Sequence, residues 1–138
     1  QGLNSRLDEI QAAFLNVKLN NIEKDILERR RVANYYLDNI KNKSVILPEV
    51  INEEGHVWHL FVIRINNRDE FQKYLDTNGV QTIIHYPIPP HKQKALQDYN
   101  YLSLPITEKI HEEVLSLPIS SVITDEEINH IISTLNTY

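Results

Sequence analysis

The chain has 138 residues, of which 41% are hydrophobic and 24% charged, a balance typical of one globular domain and unlike a disordered or collagen-like chain. Its formal net charge of −5 predicts no nucleic-acid partner, and no apolar stretch approaches the roughly 20 residues of a membrane span. Cysteine is absent, which removes disulfides and thiolate sites and is compatible with the cytoplasmic location that we expect.

The first predicted element is an amphipathic helix. Ser5 and Asp8 have the spacing of a capping box, in which a hydroxyl and a carboxylate satisfy amides of the first turn. Apolar residues then recur at three- and four-residue steps and predict one buried stripe. These residues are Leu7, Ile10, Ala13, Phe14 and Val17.

A second helix is predicted from the Asn20-Asn21 pair to about Lys41. Its predicted buried face consists of Ile22, Ile26, Val32, Ala33, Tyr36, Leu37 and Ile40. Glu28 and Arg31 are spaced to form an ion pair on a solvated face. The alternative interpretation of the Arg29–Arg31 run is a basic patch that binds RNA.

Three β-prone runs follow, at residues 44–47, 56–65 and 80–84. The run from His56 to Ile65 is the strongest, and because both of its faces are largely apolar we expect a central strand covered by helices. His56 and His59 lie three residues apart and would point to opposite sides of that strand, so we expect no metal site there. A short helix capped by Asn67 should end at Gly79.

The last part of the chain predicts a helix opened by Pro105, an extended segment over 115–119, and a final helix capped by Thr124 and Glu127. Together these patterns predict a single α+β domain over residues 1–138. It should have two layers, with long N-terminal helices and a small, mostly antiparallel sheet.

The segment His85–His91 is the best candidate for a binding surface. It places two imidazoles, one phenol and three prolines in seven residues directly after a β-prone run. Imidazole and phenol groups form hydrogen bonds near neutral pH, and proline limits the freedom of the backbone that carries them. A structural turn with polar tips is the alternative.

A second candidate lies before the first helix, where Gly2, Asn4 and Arg6 combine a flexible backbone, an amide and a guanidinium. Such groups near the amides of a helix start suit an anion such as phosphate, although an ordinary helix cap has the same pattern. We find no phosphate-binding loop, dinucleotide fingerprint, nucleophile triad or paired catalytic carboxylates. No catalytic residue and no metal ligand is therefore predicted.

Several segments resemble one enzyme family. The run Gly2–Ala13 is similar to the G-x-N-x-R-[LM]-x-E-[LI]-Q-A-A segment of the pyridoxal-phosphate-dependent sugar aminotransferases, the DegT/DnrJ/EryC1/StrS family. The resemblance continues through Arg30–Tyr36 and His59–Val62, reaches His85–Gln93, and closes at Leu115–Ile119. Its segments cover essentially the whole chain in the order of the family.

This resemblance implies the small C-terminal domain of a fold-type I enzyme that acts as a homodimer. Such an enzyme uses pyridoxal 5′-phosphate to move an amino group from glutamate to a keto-sugar nucleotide. None of the eight lysines lies in a segment like that of the cofactor lysine, so we expect that lysine outside these residues. Because the chain lacks methionine we expect it to be a fragment, and without the cofactor lysine it should be inactive by itself.

The resemblance assigns roles to individual residues. Asn4 matches an asparagine that reaches across the dimer to the cofactor phosphate, and Arg6 matches an arginine near the sugar-nucleotide site. His85 and Tyr86 match a pair that contacts the sugar or its diphosphate. His91 and Gln93 belong to the same motif, and we expect His91 and Gln93 to be structural.

The form of the motif favours a substrate class. His-Tyr-Pro-x-Pro-x-His-x-Gln is more similar to family members that act on dTDP-linked 3-keto-6-deoxyhexoses than to those that act on 4-keto sugars. UDP-linked 3-keto sugars stay open. Two alternatives to the aminotransferase also stay open: a related sugar dehydratase without the cofactor lysine, and a stand-alone, non-catalytic binding module.

Overall fold

The computed structural model describes residues 6–138 as five α-helices, two strands and two short 3-10 helices. The helices are α1 (Glu9–Leu19), α2 (Ile22–Asn39), α3 (Arg68–Thr77), α4 (Pro105–Glu113) and α5 (Asp125–Thr137). The strands are β1 (Phe61–Arg64) and β2 (Val114–Leu117), and the 3-10 helices span Pro90–Lys92 and Lys94–Tyr99. No helix within residues 6–138 has the length and apolarity that crossing a bilayer requires.

The sheet is small and antiparallel. Strand β1 pairs with β2 in a register that sets Phe61 opposite Leu117. Single antiparallel bridges extend the sheet on both sides, from Ile46 to Arg64 of β1 and from Ile83 to Ser116 of β2. Strand β1 is therefore internal, as its two apolar faces predict.

The core lies between this sheet and the helices, with α2 packed against α5 and α3 against β2. The fully buried side chains of greatest volume are Tyr36, Phe61, Phe71, Ile63, Leu75, Leu115, Ile128, Leu135 and Val32. The α+β class with a small antiparallel sheet is confirmed. Four of the residues predicted for the buried face of α2 are buried in this core: Val32, Ala33, Tyr36 and Ile40.

Most local helix signals are placed as the sequence predicts, although Asn67, at the N-cap position of α3, makes no side-chain capping bond within the described residues. Thr124 and Glu127 form a complete capping box at the start of α5, and the Thr124 N–H donates to the Glu127 carboxylate over 2.8 Å. These contacts lower the pKa of Glu127. Pro105 is the first residue of α4, and Gly79 follows the C-cap of α3 with φ of +79°, a conformation that glycine adopts at little cost.

The arginine run on α2 is structural. Arg29 donates to the carbonyls of Trp58 and Ile119 over 3.2 Å, and Arg30 donates to that of Glu54 over 2.8 Å. Arg31 forms the predicted pair with Glu28 over 2.9 Å and a second pair with Asp125 of α5 over 2.7 Å. Because all three guanidiniums hold other parts of the fold, the run does not form a free basic patch for RNA.

The β-prone runs give shorter strands than the sequence predicts. Strand β1 begins at Phe61 rather than His56, because Trp58 has a φ of +50° and turns the chain. The Trp58 N–H donates to Nδ1 of His56 over 3.1 Å, which satisfies an amide that a strand would have paired. The runs at 44–47 and 80–84 contribute only the bridges of Ile46 and Ile83.

Helix α1 differs from the prediction in its burial. It begins at Glu9 with Asp8 as its N-cap and no side-chain capping bond, whereas Ser5 lies outside the described residues. No residue of α1 is buried, and the residues of its apolar stripe that stay exposed include Leu7, Ile10, Phe14 and Val17. The stripe exists in the sequence, but nothing among residues 6–138 covers it.

Candidate functional site

His85 is held at the edge of the sheet by β2. The bridge between Ile83 and Ser116 consists of two backbone hydrogen bonds. His85 follows Ile83 by two residues, and its side chain contacts that of Ser116. Nδ1 of His85 lies 2.9 Å from the hydroxyl of Ser116, which is itself buried. Among residues 6–138, Nε2 of His85 makes no hydrogen bond, so this edge of the half-buried imidazole is available to a ligand.

Tyr86 projects from the same loop. Its side chain is 65% exposed, its ring is edge-on to that of His85 at 5.4 Å, and the peptide bond between the two residues is cis. The Tyr86 carbonyl lies 2.6 Å from Nδ1 of His111. Because a carbonyl only accepts, Nδ1 of His111 must carry the proton of this bond. This bond fixes the backbone of the residue that carries the exposed phenol.

A cavity of about 230 Å³ adjoins His85. It is lined by His59, Leu60, Gln81, Ile83, His85, Ser116, Leu117, Pro118 and Ile119. Hydroxyl, amide and imidazole groups stand among apolar side chains there, which is the composition of a site that orients a polar ligand.

The far end of the loop is anchored by a buried histidine. His91 is 6% exposed, and its Nε2 donates to the carboxylate of Glu108 over 2.8 Å. The same carboxylate oxygen accepts the N–H of Leu104 over 3.0 Å. Gln93 donates from its amide to the carbonyl of Ile88 over 3.3 Å. Both His91 and Gln93 thus contact the protein itself, as structural residues do.

These contacts make the stability of the folded state depend on pH. The N–H of Leu104 and then the imidazole of His91 lower the pKa of Glu108 below its ordinary value of 4.5. The folded state therefore gains stability from Glu108 above the ordinary pKa, and this gain is lost as the pH falls through the lowered value. We expect wild type to be more stable than Glu108→Gln at neutral pH and to lose that advantage in acid.

Urea unfolding of both chains over a descending pH series measures this difference. The single tryptophan, Trp58, is 3% exposed and provides the fluorescence signal. An advantage of wild type that is equal at neutral and acid pH would contradict the assignment.

Of the anion site predicted from Gly2, Asn4 and Arg6, the structure describes Arg6 alone. Asn4 lies outside the described residues. Arg6 is exposed ahead of α1 and makes no hydrogen bond or ion pair with another residue of the range 6–138. The structure therefore brings His85 and Tyr86 together and leaves the roles of Asn4 and Arg6 as predictions.

Three side chains that hold the loop were not among the predicted site residues: Ser116, Glu108 and His111. His111 is half-buried against the loop. Glu108 and His111 lie three residues apart and share a face of α4. That spacing is the available signal, but it cannot say which segment the face contacts.

Residues 6–138 do not by themselves place a lysine where it could hold pyridoxal phosphate as a Schiff base. All eight lysines are exposed, and none lines the cavity beside His85. A lysine that forms a Schiff base needs a partly desolvated position that lowers its pKa. The cavity beside His85 therefore has no lysine among its described lining residues.

The described residues thus define a small α+β domain that presents an anchored loop of polar groups. Residues 1–136 match the DegT/DnrJ/EryC1/StrS aminotransferase family. The chain belongs to this family, and the resemblance drawn from its motifs is confirmed.

The relatives include enzymes of both nucleotide types. The chain is 51% identical to dTDP-3-amino-3,6-dideoxy-alpha-D-galactopyranose transaminase of Aneurinibacillus thermoaerophilus, over 100% of this chain and 38% of that protein. It is 35% identical to UDP-N-acetyl-3-dehydro-alpha-D-glucosamine 3-aminotransferase of Acidithiobacillus ferrooxidans, over 97% of this chain and 36% of that protein. The chain therefore spans little more than a third of the length of these relatives.

Solved structures agree in fold. The crystal structure of DesV from S. venezuelae in complex with a ketimine intermediate aligns with a TM-score of 0.92 and 34% sequence identity. The alignment covers 99% of this chain and 38% of that one. A domain of the same architecture is thus part of a larger chain in that structure.

Proposed function

We propose that these residues form the small C-terminal domain of a pyridoxal-phosphate-dependent sugar-nucleotide aminotransferase. The full-length protein transfers an amino group from glutamate to a keto-deoxysugar nucleotide, and the His85–Tyr86 pair contacts the sugar or its diphosphate. The observation that carries this proposal is the anchored pair itself. An imidazole whose Nε2 makes no hydrogen bond within residues 6–138 and an exposed phenol stand beside a polar cavity in a member of this family.

The proposed substrate is a dTDP-linked 3-keto-6-deoxyhexose. The loop motif and the 51% identity to a dTDP-3-amino-3,6-dideoxyhexose transaminase support this choice. A UDP-linked 3-keto sugar is the second candidate, which the 35% identity to the UDP-linked enzyme favours.

The test is an assay of the full-length protein with pyridoxal phosphate and glutamate, given each of the two sugar nucleotides in turn. We expect an amino sugar and 2-oxoglutarate in equal amounts, with the larger kcat/KM for the dTDP substrate. A sugar product without 2-oxoglutarate would indicate the dehydratase, and binding without turnover would indicate the non-catalytic module.

The proposal also includes a cytoplasmic homodimer. The apolar stripe of α1 supports the dimer, because an exposed apolar face is typical of a surface that contacts another chain. Ile10, Phe14 and Val17 are each at least 66% exposed among the residues described. The cofactor is held mainly by the rest of the full-length protein, with Asn4 reaching its phosphate across the dimer. Arg6 lies near the sugar nucleotide in this arrangement.

Replacing Tyr86 by phenylalanine removes only the phenolic hydroxyl. In the full-length enzyme we expect the KM for the sugar nucleotide to rise about five- to tenfold, the equivalent of one hydrogen bond of about 1 kcal/mol. Cofactor affinity should be unchanged, because the hydroxyl faces the substrate. Steady-state kinetics and cofactor absorbance measure the two effects, and an equal loss of both would assign a folding role to the loop.

Asn4→Ala should weaken the binding of the cofactor. A charged phosphate would lose a hydrogen-bond donor worth about 1.5–3 kcal/mol, so we expect the dissociation constant of pyridoxal phosphate to rise at least tenfold. Asn16→Ala is the matched control, since Asn16 lies on exposed α1. Cofactor titration of the full-length apoenzyme checks this, and an unchanged affinity would remove Asn4 from the cofactor site.

A further inference from the structure

We propose that His111 of α4 is a positioning residue, whose imidazole holds the backbone of Tyr86 and thereby fixes the direction in which the His85–Tyr86 pair faces the substrate. This inference rests on the proposed function of that pair. His111 itself does not contact the substrate in this proposal. It acts through the peptide carbonyl of the residue that does.

The contact is short and has a defined direction. Nδ1 of His111 donates to the Tyr86 carbonyl over 2.6 Å across a separation of 25 residues. Tyr86 is 65% exposed, and the ring contact that the described residues give it is the edge-on one with the neighbouring His85. A hydrogen bond on the backbone next to such a side chain limits rotation of the peptide that carries it, and so lowers the entropy lost when a ligand binds.

His111 is itself held in place. Its carbonyl lies in the last turn of α4 and accepts from Nη1 of Arg68 over 2.7 Å. The Arg68 side chain is 12% exposed and pairs with Asp69 over 2.9 Å, which fixes the guanidinium. An otherwise unsatisfied carbonyl at the end of α4 is thus capped by α3, and the imidazole is presented from a fixed helix end.

The same face of α4 holds the other end of the loop. Glu108, one turn before His111, accepts the Nε2 proton of His91 over 2.8 Å. Tyr86 and His91 are therefore both attached to one helix by side chains three residues apart. With Ser116 holding the His85 ring from β2, the loop is attached at three points, of which only the His111 bond acts on the backbone of the proposed substrate-contacting pair.

The test compares two side chains of nearly the same shape in the full-length holoenzyme. His111→Asn keeps an amide donor near the position of Nδ1, whereas His111→Leu removes the donor. His130→Leu is the matched control, because Nε2 of His130 also bonds a backbone carbonyl, that of Asn78, over 2.8 Å and outside the loop. The readouts are amide hydrogen exchange of the peptide spanning 84–93 and the KM values for both substrates.

For His111→Leu we expect exchange of the loop amides to accelerate about five- to tenfold and the KM for the sugar nucleotide to rise by a similar factor, as for loss of one hydrogen bond. The KM for glutamate should stay within twofold, His111→Asn should restore both values, and His130→Leu should match wild type. If His111→Leu does not fold, His111→Ala is the second donor-free variant.

Unchanged loop exchange in the donor-free variant, or failure of His111→Asn to restore it, would overturn the inference. Accelerated exchange with an unchanged KM for the sugar nucleotide would overturn it as well, because the loop would be anchored without effect on the substrate. A wild-type enzyme that transfers no amino group would refute the proposed function instead, and with it the positioning role, while the exchange data would still report on the anchor.

Discussion

Truncation of Tyr36 to alanine is expected to lower the free energy of unfolding by about 3–5 kcal/mol, as for other large aromatic side chains in cores. Tyr36 is fully buried, its ring meets Phe61 edge-on at 5.0 Å, and its hydroxyl donates to the carbonyl of Pro118 over 2.8 Å. Burial raises the pKa of Tyr36 well above its ordinary value, so the folded state keeps the phenol neutral. The alanine variant loses the packing and leaves a cavity beside the sheet.

Urea unfolding of the 138-residue chain at neutral pH, followed by Trp58 fluorescence, measures this effect. Tyr36→Phe is the matched control, since it keeps the ring and loses only the bond to Pro118, at a cost of about 1 kcal/mol. A loss below that of the phenylalanine variant would mean that Tyr36 does not pack in the core.

Replacing Arg64 by leucine is expected to destabilise the fold by about 2–4 kcal/mol, because it leaves a buried carboxylate without its partner. Glu113 is only 4% exposed and accepts from Nε of Arg64 over 3.0 Å and from Nη2 over 2.6 Å. Lys109 is 3.6 Å away but exposed, so it compensates in part. This pair joins β1 to the end of α4, the helix that holds the candidate loop.

The double variant Arg64→Leu/Glu113→Leu separates an unpaired charge from a lost contact. Because a buried ion pair is often replaced by apolar residues at little cost, we expect the double variant to recover most of the stability lost in Arg64→Leu. Chemical unfolding of wild type, Arg64→Leu, Glu113→Leu and the double variant gives the coupling free energy. Purely additive losses would show that the pair does not act as a unit.

The elements that the sequence predicts well are those set by local chemistry. Thr124 and Glu127 complete their capping box within four residues, and Gly79 ends α3 where a positive φ is required. The predicted length of β1 was wrong because the turn before the strand depends on one contact, from the Trp58 amide to the His56 ring. Alternating hydrophobicity indicates that a strand is present, but it does not detect an acceptor that ends it.

The residues of the candidate site were likewise predicted only in part. His85 and Tyr86 stand out in the sequence because the residue types and the prolines around them are unusual in so short a segment. The groups that hold them do not, because Ser116 and His111 lie 31 and 25 residues away along the chain. Such contacts depend on the bridge between Ile83 and β2 and on the packing of α4, which no local pattern encodes.

The exposed stripe of α1 has a physical explanation of the same kind. Its period predicts correctly that Ile10, Phe14 and Val17 share a face, but periodicity does not say what covers that face. Within the described residues nothing does. The proposed dimer and the greater length of the relatives both provide surfaces that could pack there.

The most direct test of the central claim is a crystal structure of the full-length protein with pyridoxal phosphate and the dTDP-linked keto sugar or its amino product. We expect Nε2 of His85 and the hydroxyl of Tyr86 to lie within hydrogen-bond distance of the sugar or the diphosphate, with His111 still bonded to the Tyr86 carbonyl. A sugar nucleotide bound at other residues, with this loop free of ligand contacts, would contradict it.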